Sequence, residues 1–292
     1  MVALASREGG SMELEGKIAV ITGGASGIGL ATARQFASSG ASLVLADIEA
    51  GPLEQAVGSL RDAGAKVIGV ACDVSKESDV NAVRDAAIAE FGTVHVVFNN
   101  AGVGAGPAIG TPKKVWDWVM AVNVDGVVNG INAFMPILLD QDEGHMVSTA
   151  SLAGLGGVPG MGPYCASKFA VVGIMETLFH ELALRSSRVG VSCLCPGFVR
   201  TRIFEAQRNM PAELRAERES LDAQAAASIG QDAVSHGIDA SIVGEAVERA
   251  VRNQEFWILT HAKSAIRTTE QRAEWMKGGG STKINLERAT KG

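Results

Sequence analysis

Short apolar runs alternate with longer stretches of helical periodicity along most of this chain, and that alternation restricts its fold more than any other feature. Ile18-Ala19-Val20-Ile21 precedes a helix over about 27–39, Leu43-Val44-Leu45-Ala46 precedes one over about 51–62, and Val67-Ile68-Gly69-Val70 precedes one over about 77–91. The series continues with a strand over 94–98, a long helix over about 113–139, a strand over 145–148 and a helix over about 163–186. It closes with strands over 189–194 and 256–259. Strands that are apolar throughout must be covered on both faces, and helices of this length suit crossovers between parallel neighbours. The expected architecture is α/β: a doubly wound parallel sheet of about seven strands with helices on both faces. Ligands are then expected at the carboxyl ends of the strands.

Composition narrows the function classes. Of 292 residues, 47% are hydrophobic and 20% charged, enough apolar material for one large core and too little charge for a disordered chain. Lys and Arg number 26 against 32 Asp and Glu, a net charge of −6 that disfavours a nucleic-acid partner. Residues 1–16 lack an apolar signal core, and an uninterrupted run of 18 apolar residues is missing, so neither a membrane nor secretion is expected. Cys72, Cys165, Cys193 and Cys195 form no C-x-x-C pair and read as reduced thiols of a cytoplasmic protein. The five histidines show no metal-ligand spacing, and no metal is expected.

No Pro- or Ser-rich linker divides the chain, so a single domain is expected over 12–262, with 1–11 as an extension. Residues 203–240 break the rhythm with a polar helical segment from Pro211 to about Ala227, positioned to act as a lid over a substrate. Residues 263–292 carry seven dispersed basic side chains against three acidic ones and read as a C-terminal helix and tail.

The first strand runs into Thr22-Gly23-Gly24-Ala25-Ser26-Gly27-Ile28-Gly29 and then into helical spacing. Glycines at 23, 27 and 29 permit a tight turn, close approach of backbone to a pyrophosphate, and close packing of helix on strand. The helix N-terminus favours the anion. About 20 residues later the second strand ends at Asp47-Ile48, as a dinucleotide site requires. A carboxylate at Asp47 can accept both ribose hydroxyl protons of NAD and would repel the extra phosphate of NADP. No Arg or Lys lies beside it in sequence to reverse that preference.

The chain contains one tyrosine, Tyr164, in Tyr164-Cys165-Ala166-Ser167-Lys168. The i, i+4 spacing puts phenol and ammonium on one helix face, about 5–6 Å apart at Cβ. Ser151 lies just past the strand ending at Ser148-Thr149, at the same edge of the sheet.

With these motifs in order, the chain resembles the short-chain dehydrogenase/reductase family in its single-domain, Rossmann-type form, over about residues 12–262. Thr22-Gly23-x-x-x-Gly27-x-Gly29 matches the family's cofactor turn, with Ser26 and Ile28 inside it, and Asp73-Val74 matches its adenine contact. Asn99-Asn100-Ala101-Gly102 matches the element that stabilises the sheet beside the cofactor. Asn123, Ser151, Tyr164 and Lys168 match the catalytic tetrad. Pro196-Gly197-Phe198-Val199-Arg200-Thr201 matches the segment that holds the nicotinamide, with Val199 and Thr201 as contacts. The resemblance implies NAD as cofactor and a homodimer or homotetramer paired through the helices near 113–139 and 163–186. It further implies that Lys168 holds the nicotinamide ribose and that Asn123 holds a water.

The expected reaction is interconversion of a secondary alcohol and a ketone, with Tyr164 as general base and Ser151 bonded to the substrate oxygen. Lowering a phenol from about 10 to about 7 needs roughly 4 kcal/mol. A Lys168 cation about 6 Å away supplies roughly 3 kcal/mol at an effective dielectric of 20, so bound NAD must add the remainder. Val103, Leu152, Val158, Met161, Phe198, Ile203 and Phe204 suggest an apolar substrate. The Ser-Thr-Ala-Ser-Leu-Ala-Gly strand end and the Arg-Thr-Arg-Ile segment are similar to bacterial dehydrogenases of bulky aromatic alcohols. Two alternatives stand beside this reading: a sugar-nucleotide epimerase or dehydratase using the same Tyr and Lys, and a cofactor-binding regulator without chemistry.

Overall fold

A computed structural model describes residues 11–104, 106–215 and 234–278. Seven parallel strands form one sheet in the order β3-β2-β1-β4-β5-β6-β7. They are β1 (Ile18–Thr22), β2 (Ser42–Asp47), β3 (Val67–Ala71), β4 (Val96–Asn99), β5 (His145–Thr149), β6 (Gly190–Leu194) and β7 (Trp257–Ile258). The order reverses direction between β1 and β4, which opens a crevice at their carboxyl ends. Seven-strand parallel topology is the arrangement that the alternating sequence pattern predicts.

Side-chain alternation along each strand splits the core into two layers. Val20, Val44, Val97 and Met146 face α3 (Glu77–Phe91), α5 (Gly126–Asp140) and α6 (Gly162–Leu184). Their neighbours Ile21, Leu45, Phe98 and Val147 face α1 (Gly27–Ser38), α2 (Ala50–Asp62) and, from the far end of the chain, α8 (Ala240–Asn253). Phe36 of α1 is fully buried in this second layer, and burying such a ring contributes about 3 kcal/mol. A smaller third cluster, built by Val103, Val115, Val119, Ala206, Met210 and Leu214, closes the crevice from above.

The helix expected over 113–139 is two helices. α4 (Lys113–Met120) and α5 are joined by one π-helical turn at Ala121–Asp125. The extra residue in such a turn re-aims side chains, and the one it turns fully inward is Asn123. The whole span Lys113–Asp140 has the length and mean hydropathy of a membrane-crossing helix, yet its Val115, Val119, Phe134 and Leu138 pack in the core.

Candidate active site

The turn after β1 has the shape its glycines allow. Gly23 sits at φ +61°, where a Cβ would also lie 3.0 Å from the Ala101 Cα. Gly29 packs so closely that a Cβ there would stand 2.2 Å from the Gly23 carbonyl oxygen. Ser26 precedes α1 in extended conformation, no side chain caps the helix, and its first turn holds no acid. The first-turn N–H groups therefore face the cleft ready for an anion, and the residues present fit a dinucleotide pyrophosphate. Asn100 ties the turn to the sheet: its Nδ2 donates to the Thr22 carbonyl (3.0 Å), and its Oδ1 accepts from Thr149 Oγ1 (3.2 Å).

Asp47, at the end of β2, is held by two backbone donors, Ala25 N–H to Oδ2 and Glu49 N–H to Oδ1, each at 3.0 Å. These bonds fix the carboxylate and leave lone pairs on both oxygens for hydroxyl donors. Asp73, past β3, accepts from the Ser75 hydroxyl at 2.6 Å and lines the same cleft with Val74.

Pro163 lies in the first turn of α6, so Tyr164 stands at the helix's positive end. Ser151 lies beside the phenol in the same cleft and its Oγ accepts the Ala153 N–H at 3.1 Å. Lys168 Nζ donates to the Thr149 carbonyl at 2.7 Å and lies 5.6 Å from the Tyr164 ring centroid. β5, the loop after it and one turn of α6 thus bring three reactive side chains to a single point. Burial dominates their protonation in the free protein. It pushes the Tyr164 phenol up to about 12, against the smaller opposing pull of Ser151, and draws Lys168 down to about 8. The free protein accordingly presents a neutral phenol, the form that donates a proton.

Asn123 is held from behind the cleft. Its side chain is fully buried; Oδ1 accepts the Val103 N–H (2.8 Å), and Nδ2 donates to the Val103 carbonyl (2.9 Å) and to Ser167 Oγ (2.9 Å). The amide is engaged at both ends by protein, so it fastens the loop after β4 to α6.

A family model for short chain dehydrogenases matches residues 17–212. The chain belongs to the short-chain dehydrogenase family. It is 31% identical over 255 residues to a CLA biosynthesis dehydrogenase/reductase of Lactiplantibacillus plantarum, spanning 85% of this chain and 89% of that protein. It is also 31% identical over 252 residues to a C alpha-dehydrogenase of Sphingobium sp. strain SYK-6, spanning 85% and 82%. Among solved structures, a short-chain dehydrogenase/reductase from Burkholderia phymatum in complex with NAD superposes with a TM-score of 0.90. That protein shares 45% identity, over 94% of this chain and 98% of its own. The relatives are dehydrogenases and reductases, and this chain is an oxidoreductase of the same family.

In this short-chain dehydrogenase, one cleft of about 1280 Å³ runs from the glycine turn to the Ser151, Tyr164 and Lys168 cluster. Gly23, Ser26, Gly27, Ile28, Asp47, Ile48, Asp73, Val74, Asn100, Ala101, Gly102, Pro196, Gly197, Val199 and Thr201 all line it. Gly29 and Asn123 do not reach its wall and act from behind it. The apolar residues Val103, Leu152, Val158, Met161, Phe198, Ile203 and Phe204 line its substrate end.

Two further walls complete the cleft, one expected from the sequence and one not. The segment after 203 begins as a 3-10 turn (Ile203–Asn209), and a helix starts at Ala212, one residue past the expected Pro211, described as α7 (Ala212–Arg215). The rest of the expected lid, 216–233, lies outside the described residues, as do 1–10 and 279–292. The C-terminal helix α9 (Ala262–Gly278), read from sequence as a helix and tail with no part in the site, lays Ser264, Thr268, Gln271, Arg272 and Trp275 along the cleft. Arg272 stacks 4.9 Å from the Phe169 ring, and just before α9 His261 Nδ1 accepts the Gly197 N–H at 3.1 Å. Trp275 and Met276 are the one sequence hint, since large apolar side chains are unusual in a solvated tail.

Proposed function

We propose that this enzyme interconverts a secondary alcohol and a ketone with NAD, in one active site built by Ser151, Tyr164 and Lys168. The observation that carries the proposal is the meeting of those three side chains in a cleft continuous with an uncapped glycine turn and the Asp47 carboxylate. NAD, when bound, accepts or returns the hydride. Tyr164 Oη takes the alcohol proton during oxidation and returns it during reduction. Ser151 Oγ donates to the substrate oxygen and steadies the charge that develops there. Lys168, anchored on the Thr149 carbonyl, stabilises the phenolate and reaches the ribose. Asn123 fastens the Val103 backbone behind the cleft and is the fourth member of the tetrad, holding the water that passes protons to solvent. Asp47 receives the ribose hydroxyls.

The substrate is bulky and apolar or aromatic, as Trp118, Met161, Phe169, Phe198 and Trp275 at the far end of the cleft favour. We place the enzyme in the cytoplasm as a homodimer or homotetramer; its four buried free thiols suit a reducing compartment. The test is NADH formation across a panel of aryl, terpene, steroid and polyol secondary alcohols, with wild-type and Tyr164→Phe protein. Turnover of aryl alcohols by the wild type and its loss in the variant are expected. Tight NAD binding with no turnover of any alcohol would refute the proposal, and a monomer by light scattering would refute the assembly.

A further inference from the structure

In sequence, no cation stands beside Asp47; the fold brings one there. Arg208, 159 residues beyond Glu49, donates from Nε to both carboxylate oxygens of Glu49 (3.0 and 3.1 Å) and from Nη2 to one of them (2.8 Å). Glu49 is tied to Asp47 through its own N–H, and Asp47, Glu49 and Arg208 line the same stretch of cleft. Arg208 is fixed where it stands, since Nη1 donates to the Arg202 carbonyl (3.1 Å) and its own carbonyl accepts from Arg215 Nη2 (2.8 Å). Arg202, on the same rim, is held by Glu205 at 2.7 Å.

We infer that Glu49 is a cofactor-specificity residue: by occupying the fork of Arg208, it denies a free guanidinium to any phosphate at the ribose 2′ position. This rests on the proposed NAD dependence. A guanidinium bound edge-on by a carboxylate has spent the pair of N–H groups that would otherwise grip a phosphate. Discrimination against NADP then has two parts, repulsion by Asp47 and silencing of Arg208 by Glu49. Removing Glu49 leaves the first and abolishes the second.

The experiment is isothermal titration of NAD and of NADP into the full-length wild type, Glu49→Gln, Arg208→Met and the double variant. For Glu49→Gln the ratio of NADP to NAD dissociation constants is expected to fall about three- to fivefold, the upper worth of one solvent-accessible ion pair. Adding Arg208→Met returns the ratio to its wild-type value, and Arg208→Met alone leaves it there. If the pair is only a clasp holding residues 202–215 across the cleft, both single variants shift NAD and NADP alike. An unchanged ratio of that kind, or a gain that survives in the double variant, overturns the inference while leaving NAD dependence intact. Wild-type protein that binds neither dinucleotide overturns the NAD reading itself.

Discussion

Replacing Lys168 by Met removes a cation that the fold holds beside the chain's single tyrosine. With Nζ 5.6 Å from the Tyr164 ring centroid, a full charge stabilises the phenolate by about 3 kcal/mol at an effective dielectric of 20, or about 2 pH units. The sign follows from the proton: phenolate is the base for alcohol oxidation, so losing the cation moves the alkaline-rising limb of the rate profile upward. kcat/KM for oxidation of the best alcohol, measured at saturating NAD from about pH 6 to about pH 10, should show a limb about 2 units higher in Lys168→Met. At about pH 7 the rate should be about 100-fold lower. NAD affinity, titrated separately, isolates the ribose contact. A fall in rate with the limb unmoved would refute the electrostatic role and reduce Lys168 to a cofactor anchor.

Three further outcomes concern stability and the turn. His145 is fully buried in β5, bonded through Nε2 to Ser192 Oγ at 2.7 Å, and burial draws its pKa down to about 3. Its unfolded value is about 6.5, so the stability it contributes is present above that pH and lost as pH falls towards 3. Between about pH 7.5 and about pH 5 the wild type should therefore lose about 2 kcal/mol more unfolding free energy than His145→Asn, read by denaturant unfolding; equal losses would contradict this. Gly29→Ala should weaken NAD binding more than about tenfold, since its Cβ meets the Gly23 carbonyl. Gly58→Ala, in α2 with nothing within 4 Å of its Cβ, should raise stability by about 0.5–1 kcal/mol in the same assay.

Features set by neighbouring residues could be read in the sequence. Buried runs such as Leu43–Ala46 announced the sheet, Gly23-x-x-x-Gly27-x-Gly29 the turn, and Tyr164-x-x-x-Lys168 the shared helix face. Features set by distant contacts could not. The π turn that aims Asn123 at Val103 leaves no mark in Ala121–Asp125, because its partners are 20 and 44 residues away. Arg208 meets Glu49 across 159 residues, so a search for cations near Asp47 along the chain misses it. α9 lies along the cleft because Ala265 packs into the core and Thr268 sits over Gly156, where there is room only for a hydrogen. The raised phenol pKa is likewise tertiary: burial by the surrounding protein raises it against the smaller opposing pull of Ser151, and neither is written in the Tyr164-x-x-x-Lys168 spacing.

Because Tyr164 is the only tyrosine, its ionisation is directly visible as tyrosinate absorbance, with no other phenol to subtract. In the free protein the phenol should remain neutral well past pH 10, in line with the shift to about 12. With NAD bound, the added positive charge beside Lys168 should bring the transition down towards about pH 7, where a base for alcohol oxidation has to titrate. An ultraviolet difference titration of the NAD complex showing a tyrosinate transition below about pH 8 is the predicted result. A phenol still neutral at about pH 10 in that complex would contradict Tyr164 as the general base.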